Sequence, residues 1–304
     1  MPLRIALLYH LLRLLGLLPL RALHALGAGL GRMLARGDGR LAWHAEVNLK
    51  LVCGEMDAAD RATLKREILQ HAGRSLTEMA AIWGRPPRRA LKLVRTVEGL
   101  PLFEKAIASE RGLIIAAPHT GCWELLNYWL CSRTDMAILY APPRRPEFET
   151  LLKRARGAAG PQQIRAGGSG IRELYRRLAA GGTVGILPDQ EPRRGDGRFA
   201  PFYGIDTLSM VLLPRLAART GATVLFAFAE RLPKGRGFRI RLLPAPDGIG
   251  DADLDRACAA MNAGVQACAE AAFTQYQWTY KRFRNRPDGS QDPYWRPPGR
   301  SAQS

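Results

Sequence analysis

Two residues five apart, His119 and Glu124, have the types and spacing for general-base chemistry. On one continuous helix five residues subtend about 500°, so their side chains would diverge. With His119 in a turn and Glu124 in the first turn of a following helix, they converge into a His–carboxylate pair. A carboxylate that accepts from one imidazole nitrogen fixes the tautomer and raises the basicity of the other, which suits removal of a proton from a hydroxyl. The helix start also offers the N–H groups of Gly121 and Cys122 for stabilising an oxyanion. Cys122, three residues from His119, is the alternative nucleophile of a covalent variant. A histidine and a glutamate at this spacing also arise by chance, so their place in the fold has to decide.

That place is a strand-to-helix junction. Leu113 to Ala117 is a short apolar run bounded by Gly112 and Pro118, the pattern of a fully buried strand. Thr120 is an acceptable N-cap, and Leu125, Leu126, Trp129 and Leu130 recur at helical spacing. Open α/β sheets bind ligands beyond the C-terminal ends of their strands, where His119 then lies. From residue 96 onward, strand-like segments at 112–117, 136–140, 183–187, 222–229 and 237–243 alternate with helical ones, among them 208–220 and 251–275. The fold class is therefore α/β, with a mixed, largely parallel central sheet flanked by helices. The strand at 183–187 ends in Pro188-Asp189-Gln190, so Asp189 either orients a substrate or is a simple turn residue. Gly167-Gly168-Ser169-Gly170 fits neither a dinucleotide-binding loop nor a Walker lysine, which argues against nucleotide binding.

The block Pro118-His119-Thr120-Gly121-Cys122-Trp123-Glu124 resembles the H-x4-E motif of the glycerolipid acyltransferase superfamily, and its Gly and Trp resemble the lipid A branch, the late acyltransferases (lauroyl or myristoyl transferases) of lipopolysaccharide assembly. Three further segments are similar in order along the chain. Arg154-Ala155-Arg156 resembles the block that carries a functional arginine, placed at Arg156. Leu187 to Glu191 with Phe199 to Gly204 resembles the Pro-Asp-Gln and Pro-Phe-Phe-Gly block, and Gln275 to Trp278 with Lys281 to Pro287 the C-terminal signature. The resemblance implies an O-acyltransferase in which His119 and Glu124 are catalytic and Arg156, Asp189 and Gln190 bind substrate. It also implies an acyl carrier protein thioester as donor, a lipid A precursor as acceptor, no metal or dissociable cofactor, and a setting on the cytoplasmic face of the inner membrane. Relatives of the same fold that acylate other glycolipids keep a different acceptor open.

Charge bounds the partners. The formal net charge is +18, from 45 Lys and Arg against 27 Asp and Glu, and arginine dominates. Guanidinium groups favour bidentate anions, so nucleic acid, an anionic membrane surface and an acidic carrier protein all qualify. A helix-turn-helix, zinc or RNP signature is missing, and the basic residues are spread along the chain, which places a non-catalytic nucleic-acid module last. Five cysteines without C-x-x-C spacing indicate neither a zinc site nor a disulfide framework.

Residues 1–35 are the most hydrophobic segment, and their runs free of Lys and Arg fall below the ~20 residues that cross a bilayer. The expectation is a membrane-associating helix lying in the interface. Residues 36–286 form the acyltransferase domain with a helical N-terminal part. Residues 287–304, rich in Pro, Gly and Ser, are expected to be loosely ordered. Tyr276, Trp278, Tyr280 and Phe283 interleave with Lys281, Arg282, Arg284 and Arg286, a pattern that serves single-stranded nucleic acid or a phosphorylated glycolipid. His44 and His71 read as structural, and Arg85, Arg88, Arg89, Lys92 and Arg95 as either a solvated basic face or a contact for an acidic partner.

Overall fold

A computed structural model of the chain describes residues 3–140, 149, 160–192 and 195–296. The N-terminal segment breaks where Pro19, lacking an N–H, cannot continue a helix, giving α1 (Leu3–Leu15) and α2 (Leu20–Arg36). Helix α3 (Arg40–Val52) follows, then α4 (Ala58–Trp83), the longest, whose N-cap Asp57 accepts from the backbone N–H groups of Ala59 and Asp60. Helices α2 and α4 approach so closely that a Cβ on Gly73 would stand 2.0 Å from the carbonyl oxygen of Gly27. Arg85, after α4, donates to the carbonyls of Gly16 and Leu18 and ties down the α1–α2 turn, a structural use for one of the basic cluster. Short α5 (Pro87–Leu91) leads into the sheet region.

There the order is β1 (Val94–Glu98), α6 (Leu100–Ala108), β2 (Leu113–Ala116), α7 (Trp123–Cys131), β3 (Met136–Tyr140), β4 (Gln162–Arg165), α8 (Gly168–Ala179) and β5 (Thr183–Ile186). The hairpin β6 (Gly197–Phe202) and β7 (Ile205–Met210), α9 (Leu212–Thr220), β8 (Thr223–Arg231), β9 (Phe238–Pro244) and α10 (Leu254–Ala271) complete it. Seven strands form one sheet in the order β1-β9-β8-β2-β5-β3-β4, parallel except where β8 meets β9. Alternation along the central strands sends side chains into two cores. Ile114 and Ala116 of β2, Val184 and Ile186 of β5, and Phe226 and Phe228 of β8 join one cluster. Leu113, Ile115, Leu225 and Ala227 join the other. Helices cover both faces, which is why these strands read as continuous apolar runs.

Two expectations are corrected. Residues 208–210 belong to β7, so the helix begins at Leu212; Thr207 and Ser209 turn inward there to hydrogen-bond rather than to continue a helical face. Four residues of the aromatic-basic stretch 276–286 belong to the core. Tyr276, Trp278 and Phe283 are buried around Phe202, and Arg282 donates to the Leu208 carbonyl and to Ser209 Oγ. With Arg282 committed to inward bonds and three of the four aromatics buried, most of the interleaving is packing. Residues 287–291 are exposed, and Tyr294 beyond them anchors the chain. Tyr294 is buried, accepts from the Phe283 N–H and donates to Asn48 Oδ1, while residues 297–304 lie outside the described residues.

Candidate active site

The site lies beyond the C-terminal ends of β2 and β5. These strands are parallel neighbours with Ala116 opposite Ile186, so the residues three positions past each, His119 and Asp189, arrive together. His119 Nδ1 is 2.8 Å from Asp189 Oδ1, and the His119 backbone N–H donates to Oδ2 at 2.9 Å. Gln190 Nε2 lies 3.3 Å from His119 Nε2 and 3.3 Å from Gln277 Oε1. An amide NH2 is a donor, so the network assigns Nδ1 as the protonated nitrogen and Nε2 as the acceptor. His119 is thus held with Nδ1 toward Asp189 and Nε2 toward Gln190.

Asp189 is only 2% exposed. Burial alone would raise its pKa, but the charge of His119, the two hydrogen bonds from that residue and the charge of Arg282 hold it below the usual carboxylate range. The Tyr276 phenol beside it is kept protonated, first by burial and then by the Asp189 charge.

The spacing argument expected Glu124 to be the carboxylate on one imidazole nitrogen; the structure places Asp189 on Nδ1. Glu124 does sit in the first turn of α7 as expected, fully buried, and it lines the same cavity as His119. Register explains the difference. Glu124 is local in sequence, yet strand pairing delivers a carboxylate from seventy residues away in line with the imidazole.

The suggestion that the Gly121 and Cys122 N–H groups receive an oxyanion is also corrected. Gly121 N–H donates to the Gln275 carbonyl and Cys122 N–H to the Ala229 carbonyl. Gly121 adopts φ +66°, and a Cβ there would lie 2.0 Å from the Ala229 oxygen, so only glycine lets the turn dock on β8. Cys122, not Thr120, occupies the N-cap position of α7. Its thiol is buried and its pKa is pushed well above the usual thiol range, by burial first and the Glu78 charge second. A thiol so disfavoured as thiolate does not support the covalent variant.

Sequence reasoning missed what anchors this turn. Arg231, at the end of β8, donates through Nε and Nη2 to both oxygens of Glu78 on α4, at 2.7 and 2.6 Å, and through Nη2 to the Gly121 carbonyl at 2.8 Å. His24 Nε2 is 3.2 Å from the same Glu78 carboxylate. Partners this far apart in sequence leave no periodic signal.

Two cavities meet at His119. One, about 340 Å³, runs between the central strands and α7, and Leu126, Leu130, Met136, Ile138 and Ile186 give it apolar walls. The other, about 460 Å³, opens beside α4 and includes His71, Ser75, Glu78, Glu124 and Gln277. His119 and Trp123 border both. Both cavities have largely apolar walls, and the second also carries the ionisable side chains of His71, Glu78 and Glu124, so an imidazole base between them can serve two substrates, one in each. Gln190 lies at the base as expected, whereas Arg156 lies outside the described residues.

The model of one family, bacterial lipid A biosynthesis acyltransferase, matches residues 3–285. The chain belongs to that family. It is similar to a lipid A biosynthesis lauroyltransferase of Escherichia coli (strain K12), 25% identical over 273 residues that cover 90% of this chain and 88% of the relative. A lipid A biosynthesis palmitoleoyltransferase of the same strain is 28% identical over 281 residues, 91% of this chain and 90% of the relative. A phosphatidylinositol mannoside acyltransferase of Mycobacterium tuberculosis (strain CDC 1551 / Oshkosh) is 28% identical over 207 residues, 66% of this chain and 64% of the relative. The chain is accordingly an acyltransferase, and the two cavities of this acyltransferase meet at His119.

Proposed function

We propose that this acyltransferase moves a fatty acyl chain from an acyl carrier protein thioester to a hydroxyl of a lipid A precursor, with His119 as general base. The observation that carries the reading is the Asp189–His119 pair at the junction of the two cavities. The acyl chain enters the cavity between the central strands and α7, and the acceptor the one beside α4. The acceptor hydroxyl displaces the Gln190 N–H from Nε2, and its proton passes to Nε2 as its oxygen attacks the thioester carbonyl. The tetrahedral intermediate collapses by breaking the C–S bond, and the departing thiolate takes the proton from the imidazolium. Asp189 stays ionised throughout and stabilises the imidazolium. Glu124, in the wall of the cavity beside α4, takes the place beside the acceptor hydroxyl now that Asp189 holds His119 Nδ1, and by family resemblance Arg156 stabilises the oxyanion or anchors phosphate.

The net charge of +18 suits an acidic carrier protein as donor and an anionic leaflet as support, the cytoplasmic face of the inner membrane. Among the described residues no helix is long and apolar enough to cross a membrane. Leu7, Leu11 and Leu14 of α1 and Leu26, Leu30 and Met33 of α2 are nevertheless exposed, at spacings that put each set on one helical face. Lying in the interface is the arrangement that covers them. Leu7→Glu with Leu11→Glu should shift the protein from sedimenting with anionic vesicles to the supernatant; unchanged sedimentation would remove α1 as the anchor.

The reaction is tested by offering carrier-protein thioesters of different chain length, with a tetra-acylated lipid A precursor as acceptor, to wild type and to His119→Ala. Loss of general-base help should lower kcat roughly 10²–10⁴-fold. A folded His119→Ala protein that retains wild-type kcat would overturn the assignment of the base. The similarity to a phosphatidylinositol mannoside acyltransferase gives a second acceptor class, another glycolipid, for the case in which wild type leaves the lipid A precursor unacylated.

A further inference from the structure

A third cavity adjoins the one beside α4. It lies between α2, α4 and the turn after β8, measures about 720 Å³, and shares His71 and Gln275 with the cavity that holds His119. Arg21 of α2, Arg74 of α4 and Lys234 of the turn line it, and none of the three forms an ion pair among the described residues. Arg74 donates from Nη1 to His71 Nε2 at 3.1 Å. That bond makes Nδ1 the protonated nitrogen of His71, because burial, followed by the charges of Arg231 and Arg74, takes this imidazole's pKa down to about 3 and keeps it neutral. Nδ1 of His71 and Nη1 of Arg231 are buried, and neither has a hydrogen-bond partner among the described residues. Arg231 is itself 3% exposed and borders this cavity. The carboxylates on the rim do not cancel the cations. Glu230 is paired with Arg239 and Arg241, and Glu78 is shared by Arg231 and His24, which leaves Glu67 alone against three uncommitted cations.

A buried donor without an acceptor is costly, and so is a group of like charges at close quarters. Burial and then the charges of Arg231 and Arg32 lower the pKa of Arg74, so the cluster is electrostatically uncomfortable when empty. An anion rich in acceptor oxygens relieves both. A carboxylate would satisfy two donors on one plane, whereas the donors here come from α4, the end of β8, α2 and the following turn, and so surround the cavity. A tetrahedral oxyanion matches that arrangement.

We propose that this cavity is a phosphate-binding site that holds a phosphorylated headgroup of the acceptor while its hydroxyl lies at His119. The continuity through His71 and Gln275 permits one molecule to occupy both cavities. The place of the phosphate on the acceptor rests on the proposed reaction; the site itself rests only on the cation cluster and its orphaned donors.

The test compares wild type with the double variant Arg74→Gln/Lys234→Gln, on a glycolipid acceptor prepared with and without its phosphomonoester. Binding of each acceptor in detergent micelles is measured beside transfer. Wild type should bind the phosphorylated form roughly 10- to 100-fold more tightly, with the same ratio in KM and little change in kcat, and the double variant should lose that preference. Millimolar inorganic phosphate that competes with the phosphorylated acceptor alone would show that the site also takes the free ion; preference without competition would confine it to the lipid headgroup. Equal affinity of wild type for the two acceptors, or an equal loss on both in the double variant, overturns the proposal. Discrimination in binding without any transfer would keep the site and remove the reaction, whereas transfer without discrimination would do the reverse.

Discussion

Asp189→Asn is expected to lower kcat roughly 10³–10⁴-fold while leaving the protein folded. Asp189 presents two acceptor oxygens, one to the His119 ring N–H and one to the His119 backbone N–H. Asparagine offers one oxygen and one NH2. If the oxygen serves the backbone, which cannot change its protonation, the NH2 must donate to Nδ1, and the ring proton moves to Nε2. The nitrogen that should accept a proton then carries one. If the amide turns the other way, the backbone N–H faces an NH2, and in either case no negative charge remains to stabilise the imidazolium. The measurement is kcat and its pH profile for Asp189→Asn beside Glu124→Gln. Asp189→Asn activity within tenfold of wild type, together with a collapsed Glu124→Gln variant, would return the carboxylate role on His119 to Glu124.

A loss of about 3–5 kcal/mol in stability is expected for Glu78→Ala. This change strands the Arg231 guanidinium, which is 3% exposed and loses its paired carboxylate. For a chain of this length that corresponds to a fall of roughly 10 °C in Tm. Activity should fall further than stability, because the freed Arg231 no longer fixes the Gly121 carbonyl that holds the turn after His119. The same pair sets an acid limit. Burial would raise the Glu78 pKa, but the Arg231 charge and the bonds from His24 and Arg231 bring it down to about 2. A carboxylate with a depressed folded pKa contributes stability that is fully present above its unfolded value near 4.5 and is lost as pH falls through that range toward 2. Wild-type Tm should therefore decline below about pH 4.5, and Glu78→Ala should show a shallower decline. Parallel pH curves for the two proteins would exclude Glu78 as the source.

Legibility followed burial. The five segments read as strands, at 112–117, 136–140, 183–187, 222–229 and 237–243, all form within a residue or two of those bounds: the central ones are packed on both faces and need nearly unbroken apolar sequence, whereas Phe238–Pro244 alternates buried Phe238, Ile240 and Leu242 with part-exposed Arg239 and Arg241. The two sheet strands that were not read, Val94–Glu98 and Gln162–Arg165, are the edges of the sheet, where solvent permits Arg, Thr, Glu and Gln and the pattern dissolves. The hairpin of Gly197–Phe202 and Ile205–Met210 stands outside that sheet, and Arg282, Asn262 and Ser209 hold it by buried polar bonds that leave no period.

The site divides in the same way. Sequence alone determined that His119 stands after a buried strand and Glu124 in the first turn of the next helix, since a proline-bounded apolar run and a helical repeat are both local signals. The order of four motifs likewise sufficed to place the chain among the acyltransferases. Only the tertiary structure decided which carboxylate meets the imidazole, where the N–H groups of Gly121 and Cys122 are spent, and that Arg231 and Glu78 brace the turn. Each of those depends on the register of β2 against β5 and on the docking of α4 against β8. Such contacts join residues separated by seventy positions or more, and their energies are set by geometry across the sheet, about which neighbouring residues along the chain carry no information.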